Sequence, residues 1–136
     1  MAHDVIQPTG WPRPAGYSNG MLVPAGHRLV FIAGQIAWDE RQVLVGKHDF
    51  AAQFAQALRN VVTVVRASGG DPEHLVQMTI YVTDKRAYLA AAPRLGTIWR
   101  ETIGKHYPTM ALVQVADLLE TGALVEISAT AALPPS

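Results

Sequence analysis

Apolar and polar residues follow two different periods along the chain, and each period predicts a different kind of element. From Asp49 to Ser68 the apolar side chains recur every three to four residues, which is typical of one face of an α-helix. They are Phe50, Phe54, Ala57, Leu58, Val61, Val62 and Val65. Gly69 and Gly70 follow and indicate a left-handed stop. The string DPEH at 71–74 predicts one more helical turn, because proline suits the first position of a helix.

A period of two replaces the helical period from Leu75 to Thr83, which predicts a half-buried strand. Its apolar face consists of Val76, Met78, Ile80 and Val82. A second helical pattern runs from Asp84 to about Ile103, and Pro93 within it predicts a kink or a restart of the helix. The residues in register on this helix are Tyr88, Ala92, Leu95, Trp99 and Thr102.

The two ends of the chain predict extended structure. Residues 1–16 are rich in proline and glycine and are expected to form an extended arm. Strands are predicted at 21–23, 29–36, 110–115 and 124–133. The order of two strands, helix, strand, helix and two strands favours an α+β fold, with one mixed sheet and both helices on one face. We expect the whole chain to form a single domain.

The sheet face turned away from the helices is expected to be neither core nor ordinary surface. In the last strand the residues expected to point to the helices are Val125, Ile127, Ala129 and Ala131, and those expected to point away are Leu124, Glu126, Ser128 and Thr130. Apolar residues expected on this open face are Phe31, Ala33, Leu112 and Leu124. Glu126 has apolar neighbours, and an unpaired carboxylate is costly to bury. The pattern therefore predicts a homo-oligomer that meets on the open face, with Glu126 at or near a seam between chains.

Composition narrows the classes of function. Eleven basic and eleven acidic residues give a formal net charge of zero, so nucleic acid is not an expected partner. The chain has no cysteine, which excludes disulfides and thiol catalysis and is typical of a cytoplasmic protein. No signal peptide or membrane-spanning segment is expected. The five histidines lack the spacing of a zinc site and are expected to lie mostly on the surface.

Six strings, in order, resemble the RidA family, also called YjgF or L-PSP proteins. They are AGYSNG at 15–20, IAGQI at 32–36, the long helix ending in Gly69-Gly70, MTIYVTD at 78–84, YPTMALVQVADL at 107–118 and ALVEISATA at 123–131. The resemblance implies a chorismate-mutase-like α+β fold and a homotrimer whose sheets line a central barrel, with a ligand cleft at each subunit interface. Active members hydrolyse reactive 2-enamine or 2-imine acids to 2-oxo acids and ammonia, without a metal or organic cofactor.

The resemblance also assigns roles to five positions. Glu126 matches the carboxylate that positions or activates the attacking water. Tyr17 matches the cleft tyrosine, and Gly34 matches a backbone donor in the second strand. Ala33 stands where many members have serine, which removes a hydroxyl from the pocket. Met110 stands where the imine deaminases have an arginine that clamps the substrate carboxylate, so the chain resembles an arginine-lacking subgroup.

Four of these residues also have a purely structural interpretation. Glu126 could hydrogen-bond to backbone across the trimer, and Tyr17 could pack its ring and leave its hydroxyl in solvent. Gly34 could be glycine because two backbones approach closely there. Met110 could be an apolar wall of the pocket.

Four further residues are candidates for the same cleft. Lys105 or His106 could supply a replacement positive charge, although both are expected to be surface residues of a loop. Trp38 and Trp99 could line or cover a ligand. Their structural alternatives are interface packing for Trp38 and the buried face of the second helix for Trp99.

Two functions of different classes remain open. The first is a cofactor-independent hydrolase of small 2-enamine or 2-imine acids at inter-subunit clefts, with Glu126 as the base that positions water and Tyr17 as the residue that orients substrate. The second is a non-catalytic small-molecule binding or regulatory trimer, as the replacement of the arginine by Met110 suggests. The ribonuclease activity behind the L-PSP name is disfavoured by the neutral charge and the lack of a paired histidine site.

Overall fold

The computed structural model describes residues 2–136, which form two α-helices and six strands. In chain order the elements are β1 (Asp4–Ile6), β2 (Gly20–Leu22), β3 (Arg28–Gln35), α1 (Phe50–Ala67), β4 (Leu75–Val82), α2 (Lys85–Thr102), β5 (Thr109–Gln114) and β6 (Val125–Leu133). A 3₁₀ turn at Pro72–His74 connects α1 to β4, where one extra turn was predicted. The predicted α+β class is confirmed, with both helices within two residues of their predicted bounds.

The first helix begins and ends where the sequence indicates. Asp49 caps it by accepting a hydrogen bond from the Ala52 amide at 3.1 Å. Gly69 ends it with a φ of 92°, a conformation that glycine adopts at little cost. The predicted apolar face of α1 is buried, and so is one polar residue, Gln53.

The second helix does not restart at Pro93. The helix α2 runs without interruption from Lys85 to Thr102, although proline cannot donate the helical hydrogen bond to Leu89. Leu89 is 65% exposed, so the missing bond lies on the solvent side of the helix. The lost bond is tolerated, and of the two alternatives predicted from the sequence, a kink or a restart, the restart is wrong.

The main sheet is mixed and has four strands in the order β3-β6-β4-β5. The strand β6 is antiparallel to both of its neighbours, whereas β4 and β5 are parallel. The first two strands form a separate two-stranded sheet in which Val5 pairs with Met21. The segment predicted as an extended arm therefore contains a strand, which lies before the first proline.

The alternation predicted for β6 is confirmed, because Val125, Ile127, Ala129 and Ala131 are all buried in the core. Leu112 and Leu124 do not lie on the open face as predicted, since both pack against the core. Leu112 pairs with Ile80 across the β4–β5 ladder, and paired residues point to the same side of a sheet. Leu124 precedes β6 and does not take part in its alternation.

Candidate functional site

Glu126 and Gly34 lie together in a hollow beside the edge of the main sheet. The hollow has a volume of about 360 Å³ and is lined by Gly34, Gln35, Ile36, Trp38, Gln42, Leu119, Glu120 and Glu126. We refer to it as the Glu126 hollow. The side chain of Glu126 is half-buried, and it has no salt-bridge partner among residues 2–136. Its carboxylate is therefore available to water or to a ligand.

Glycine at position 34 allows the Glu126 side chain to pass directly over strand β3. A Cβ atom added to Gly34 would lie 2.8 Å from Cδ and 2.9 Å from Cγ of Glu126, closer than real side-chain atoms approach. Any larger residue at this position would displace the carboxylate. The close approach predicted for Gly34 thus involves a side chain, Glu126, rather than a second backbone.

Two polar residues of α1 hold the segments on either side of the Glu126 hollow. Asn60 donates from Nδ2 to the carbonyl oxygens of Ile36 at 3.0 Å and Trp38 at 2.7 Å. Gln53, which is fully buried, donates to the carbonyl of Gly122 at 2.9 Å and accepts from the amide of Leu124 at 2.8 Å. Together these bonds fix the loop after β3 and the entry into β6, where Glu126 is the second residue.

Tyr17 and Met110 lie in a different hollow. It has a volume of about 270 Å³ and is lined by Ala15, Gly16, Tyr17, Ile80, Tyr88, Met110 and Leu112. We refer to it as the Tyr17 hollow. Burial raises the pKa of the Tyr88 hydroxyl above its ordinary value of 10.0, so this group stays neutral near pH 7.

Hydrogen bonds of Ser18 place Tyr17 beside the start of β5. The Ser18 hydroxyl donates to the carbonyl of Tyr107 at 2.5 Å, and its amide donates to the carbonyl of Pro108 at 3.1 Å. Tyr17 itself is 42% exposed. The arm is thus attached next to Met110 by backbone geometry, and the phenol of Tyr17 remains accessible.

The five site residues predicted from the sequence do not converge within one chain. Glu126 and Gly34 share one hollow, whereas Tyr17 and Met110 share another. Ala33 is exposed and lines neither hollow. Trp38 lies in the Glu126 hollow. Each hollow therefore holds only part of the residue set that the family resemblance assigns to the cleft.

The two candidates for a replacement cation have different environments. Lys105 is exposed and lines a hollow on the other side of Tyr17, together with Arg13, and not the hollow that contains Met110. His106 is buried, contrary to the prediction for this loop, and its Nε2 lies 2.7 Å from the carbonyl oxygen of Leu75. Burial lowers the pKa of His106 below its ordinary value of 6.5, more than the bond to Leu75 raises it.

The prediction of mostly surface histidines is also wrong for His3, which is 3% exposed and lies 5.4 Å from the ring of His27. Neither ring nitrogen of His3 has a hydrogen-bond partner among residues 2–136. Within residues 2–136, no three histidine or acidic side chains are placed to hold a metal ion. Over the same residues, neither helix is long and apolar enough to cross a membrane.

Sequence reasoning missed two residues that bear on these hollows. Gln53 does not belong to the apolar period of α1, and only its hydrogen bonds to the segment before β6 show its role. Arg100 gave no signal beyond a charge near the end of α2. In the fold, however, it lines a cavity that also contains Met110.

A mixed sheet backed by two helices, with a carboxylate in one hollow and a phenol in another, defines a small α+β protein with candidate small-molecule sites. The chain belongs to the endoribonuclease L-PSP family, also called RidA or YjgF, whose model matches residues 12–133. This match covers most of the chain and agrees with the resemblance read from its strings.

The alignments with similar proteins cover nearly the whole chain. Protein DfrA of Myxococcus xanthus is 33% identical over 132 residues, which are 96% of each chain. The human 2-iminobutanoate/2-iminopropanoate deaminase is 29% identical over 119 residues, covering 88% of this chain and 81% of the human protein. The crystal structure of YyfB from Yersinia pestis, of the conserved Rid protein family, superposes with a TM-score of 0.85 at 33% identity, over 98% of this chain and 100% of YyfB.

Proposed function

We propose that this protein is a cofactor-independent hydrolase that converts small 2-enamine or 2-imine acids to 2-oxo acids and ammonia. The observation that carries the proposal is the Glu126 carboxylate, which crosses Gly34 into an accessible hollow without a cationic partner among residues 2–136. The similarity to a deaminase of 2-imino acids supports the same reaction class.

The chemistry requires one base and a way to hold the substrate. Glu126 accepts a proton from water as the water oxygen bonds to the electrophilic C2 atom of the iminium form of the substrate. The resulting carbinolamine takes this proton from Glu126 on its nitrogen, and the C–N bond then breaks to release ammonia. The C2 hydroxyl gives its proton back to Glu126 as it becomes the carbonyl of the 2-oxo acid. Glu126 passes that proton to ammonia, which leaves as ammonium and restores the carboxylate. The Tyr17 hydroxyl can hold a substrate oxygen by a hydrogen bond.

We further propose that the complete site forms between subunits of a cytoplasmic homotrimer. The Glu126 hollow of one subunit would face the Tyr17 hollow of its neighbour, which would account for the separation of these hollows within one chain. The open face of the sheet also carries exposed apolar side chains, such as Phe31 at 76% and Leu29 at 57% exposure. Such a surface is typical of an interface.

Imine hydrolysis with the Glu126→Gln variant tests the proposed reaction. A 2-imino acid is generated by an amino-acid oxidase, and the rate of 2-oxo acid formation is compared for native protein, variant and no protein. We expect native protein to accelerate hydrolysis and the variant to lose about 10²- to 10⁴-fold, because glutamine cannot accept the proton.

The control is Glu101→Gln, which removes an exposed carboxylate on α2 that lies in neither the Glu126 hollow nor the Tyr17 hollow. This control should retain the native rate. Equal rates for native protein and Glu126→Gln would exclude Glu126 as the base.

Met110 favours a second candidate, a non-catalytic small-molecule binding protein that uses the same hollows. Its side chain packs against the core and offers no positive charge for a substrate carboxylate at this position of β5. Saturable binding of 2-oxo acids without any acceleration of imine hydrolysis would support this candidate over the hydrolase.

A further inference from the structure

A cavity beneath α2 has mostly apolar walls and, among residues 2–136, one cationic side chain in its lining, that of Arg100, whose exposure puts it at the rim. It has a volume of about 270 Å³ and lies between α2, strands β4 and β5, and the arm. Its buried walls are Phe54, Ile80, Leu95 and Trp99, and Met110 also lines it. An apolar cavity of about 150 Å³ can hold benzene, so this one can hold a phenyl or branched aliphatic group.

Aromatic packing gives the cavity a defined shape. The rings of Trp99 and Tyr107 stack with centroids 6.1 Å apart and planes 8° apart. The indole N–H of Trp99 donates to the carbonyl of His106 at 3.0 Å, which fixes the ring further. Rigid aromatic walls favour binding of a flat or branched apolar group, because little side-chain freedom is lost when it enters.

Arg100 is the cation at the rim. It lies in the last turn of α2, and no carboxylate among residues 2–136 forms a salt bridge with it. The contact found for its guanidinium is a long hydrogen bond of 3.4 Å to the Thr97 hydroxyl. An unpaired guanidinium at the mouth of an apolar cavity is suited to hold a carboxylate while an apolar group fills the interior.

Gly96 lines the same cavity and lies next to this cation. It lies in the interior of α2, where glycine is less favourable than alanine. A Cβ atom added there would contact only the Arg100 guanidinium, at 3.5 Å, so the helix itself does not require glycine. A larger side chain would occupy the space between Arg100 and the cavity.

We propose that this cavity binds the apolar side chain of a carboxylic acid whose carboxylate is held by Arg100. The ligand class is a 2-imino or 2-oxo acid with a phenyl or branched aliphatic side chain. The assignment of this acid as the substrate rests on the proposed function. Met110 of β5 carries no charge, and Arg100 of α2, which lines the same cavity, then supplies the cation instead.

Three probes, titrated into the native protein by isothermal calorimetry, separate the contribution of the apolar cavity from that of the Arg100 guanidinium. They are phenylacetate, its neutral analogue phenylacetamide, and acetate, which lacks the ring. We expect phenylacetate to bind about tenfold more tightly than phenylacetamide, because a charged hydrogen bond contributes roughly 1.5 kcal/mol. Acetate should show no saturation over the same concentrations.

Variants locate the site. Arg100→Gln should weaken phenylacetate about tenfold and leave phenylacetamide unchanged, whereas the matched control Arg94→Gln, an exposed arginine of the same helix outside the cavity, should change neither. Gly96→Leu should weaken both aromatic probes without lowering the melting temperature, since leucine favours a helix.

The proposal is overturned by any of three results. These are the absence of phenylacetate binding to the native protein, equal affinities in native protein and Arg100→Gln, and undiminished binding to Gly96→Leu. None of them depends on turnover. If native protein hydrolyses imines but does not bind phenylacetate, the proposed reaction stands and this site does not. If it binds phenylacetate but hydrolyses no imine, the binding site stands and the proposed reaction does not.

Discussion

His106 shows how strongly the environment of a single residue can depart from its place in the sequence. It follows an exposed lysine in a loop, yet it is buried against the carbonyl of Leu75, with Glu73, His74 and His3 as the charged or titratable groups that act on it. Burial disfavours the charged form of the ring, so His106 makes the free energy of unfolding depend on pH.

We predict that the free energy of unfolding falls as the pH is lowered, because His106 must become protonated. Its pKa is below 6.5 in the folded chain and about 6.5 in the unfolded chain, so the unfolded chain binds more protons between these values. The contribution is present above about pH 6.5 and is lost as the pH falls through the lowered folded value. Urea unfolding at pH 7.5 and 5.5 should show a smaller loss in His106→Gln than in native protein.

The control for this pH series is His48→Asn. His48 is exposed and has a φ of 61°, which asparagine tolerates. Its pH dependence should match that of native protein. A loss in His106→Gln as large as in native protein would assign the acid sensitivity to other groups.

At the scale of elements, the position of Glu126 depends on contacts between α1 and the segment before β6. Gln53 forms the connection through a donated and an accepted hydrogen bond. The Gln53 side chain itself is fully buried, where an unpaired amide is costly, whereas its partners Gly122 and Leu124 are exposed and half-buried. The helix therefore supports the candidate site although it contributes no side chain to the Glu126 hollow.

We predict that Gln53→Leu lowers the free energy of unfolding by about 1–3 kcal/mol. Leucine fits the volume but leaves the Leu124 amide and the Gly122 carbonyl without their partner. Urea unfolding measures the change. Thr63→Ala, at an exposed position of the same helix, should stay within about 0.5 kcal/mol of native protein. Equal stability of both variants would mean that the Gln53 bonds contribute nothing net.

Across the whole molecule, the open sheet face is the largest feature that a single chain leaves unexplained. Phe31 is 76% exposed and Val113 is 41% exposed, although strands normally shield such residues. These side chains lie on the face opposite the helices. The proposed homotrimer would cover them and would bring the Glu126 and Tyr17 hollows of neighbouring subunits together.

We predict that Phe31→Asp weakens subunit association by at least about tenfold. Burying a phenylalanine contributes roughly 1.5–3 kcal/mol, and an aspartate in its place would be desolvated without a partner. Sedimentation velocity over a concentration series measures the assembly. Leu89→Asp introduces the same charge at a 65% exposed position of α2 and should leave the assembly intact. A native protein that is monomeric at micromolar concentration would contradict the trimer itself.

The sequence by itself determined the class of fold, both helices and the strands of the main sheet to within a residue or two at their ends. The physical reason is local. Periods of 3.6 and 2 record which side chains face the core, Asp49 begins α1 through its side-chain cap, and Gly69 ends it because glycine tolerates a positive φ. The resemblance of its strings also indicated the family correctly.

Only the tertiary structure decided which distant residues meet. The pairing of β1 with β2, the burial of His106 against Leu75, and the bonds of Gln53 to a loop about 70 positions away depend on chain reversals that leave no periodic signal. The same holds for Arg100 and Met110, which are ten positions apart and line one cavity because the chain reverses between α2 and β5. The separation of the Glu126 and Tyr17 hollows is likewise a property of the folded chain.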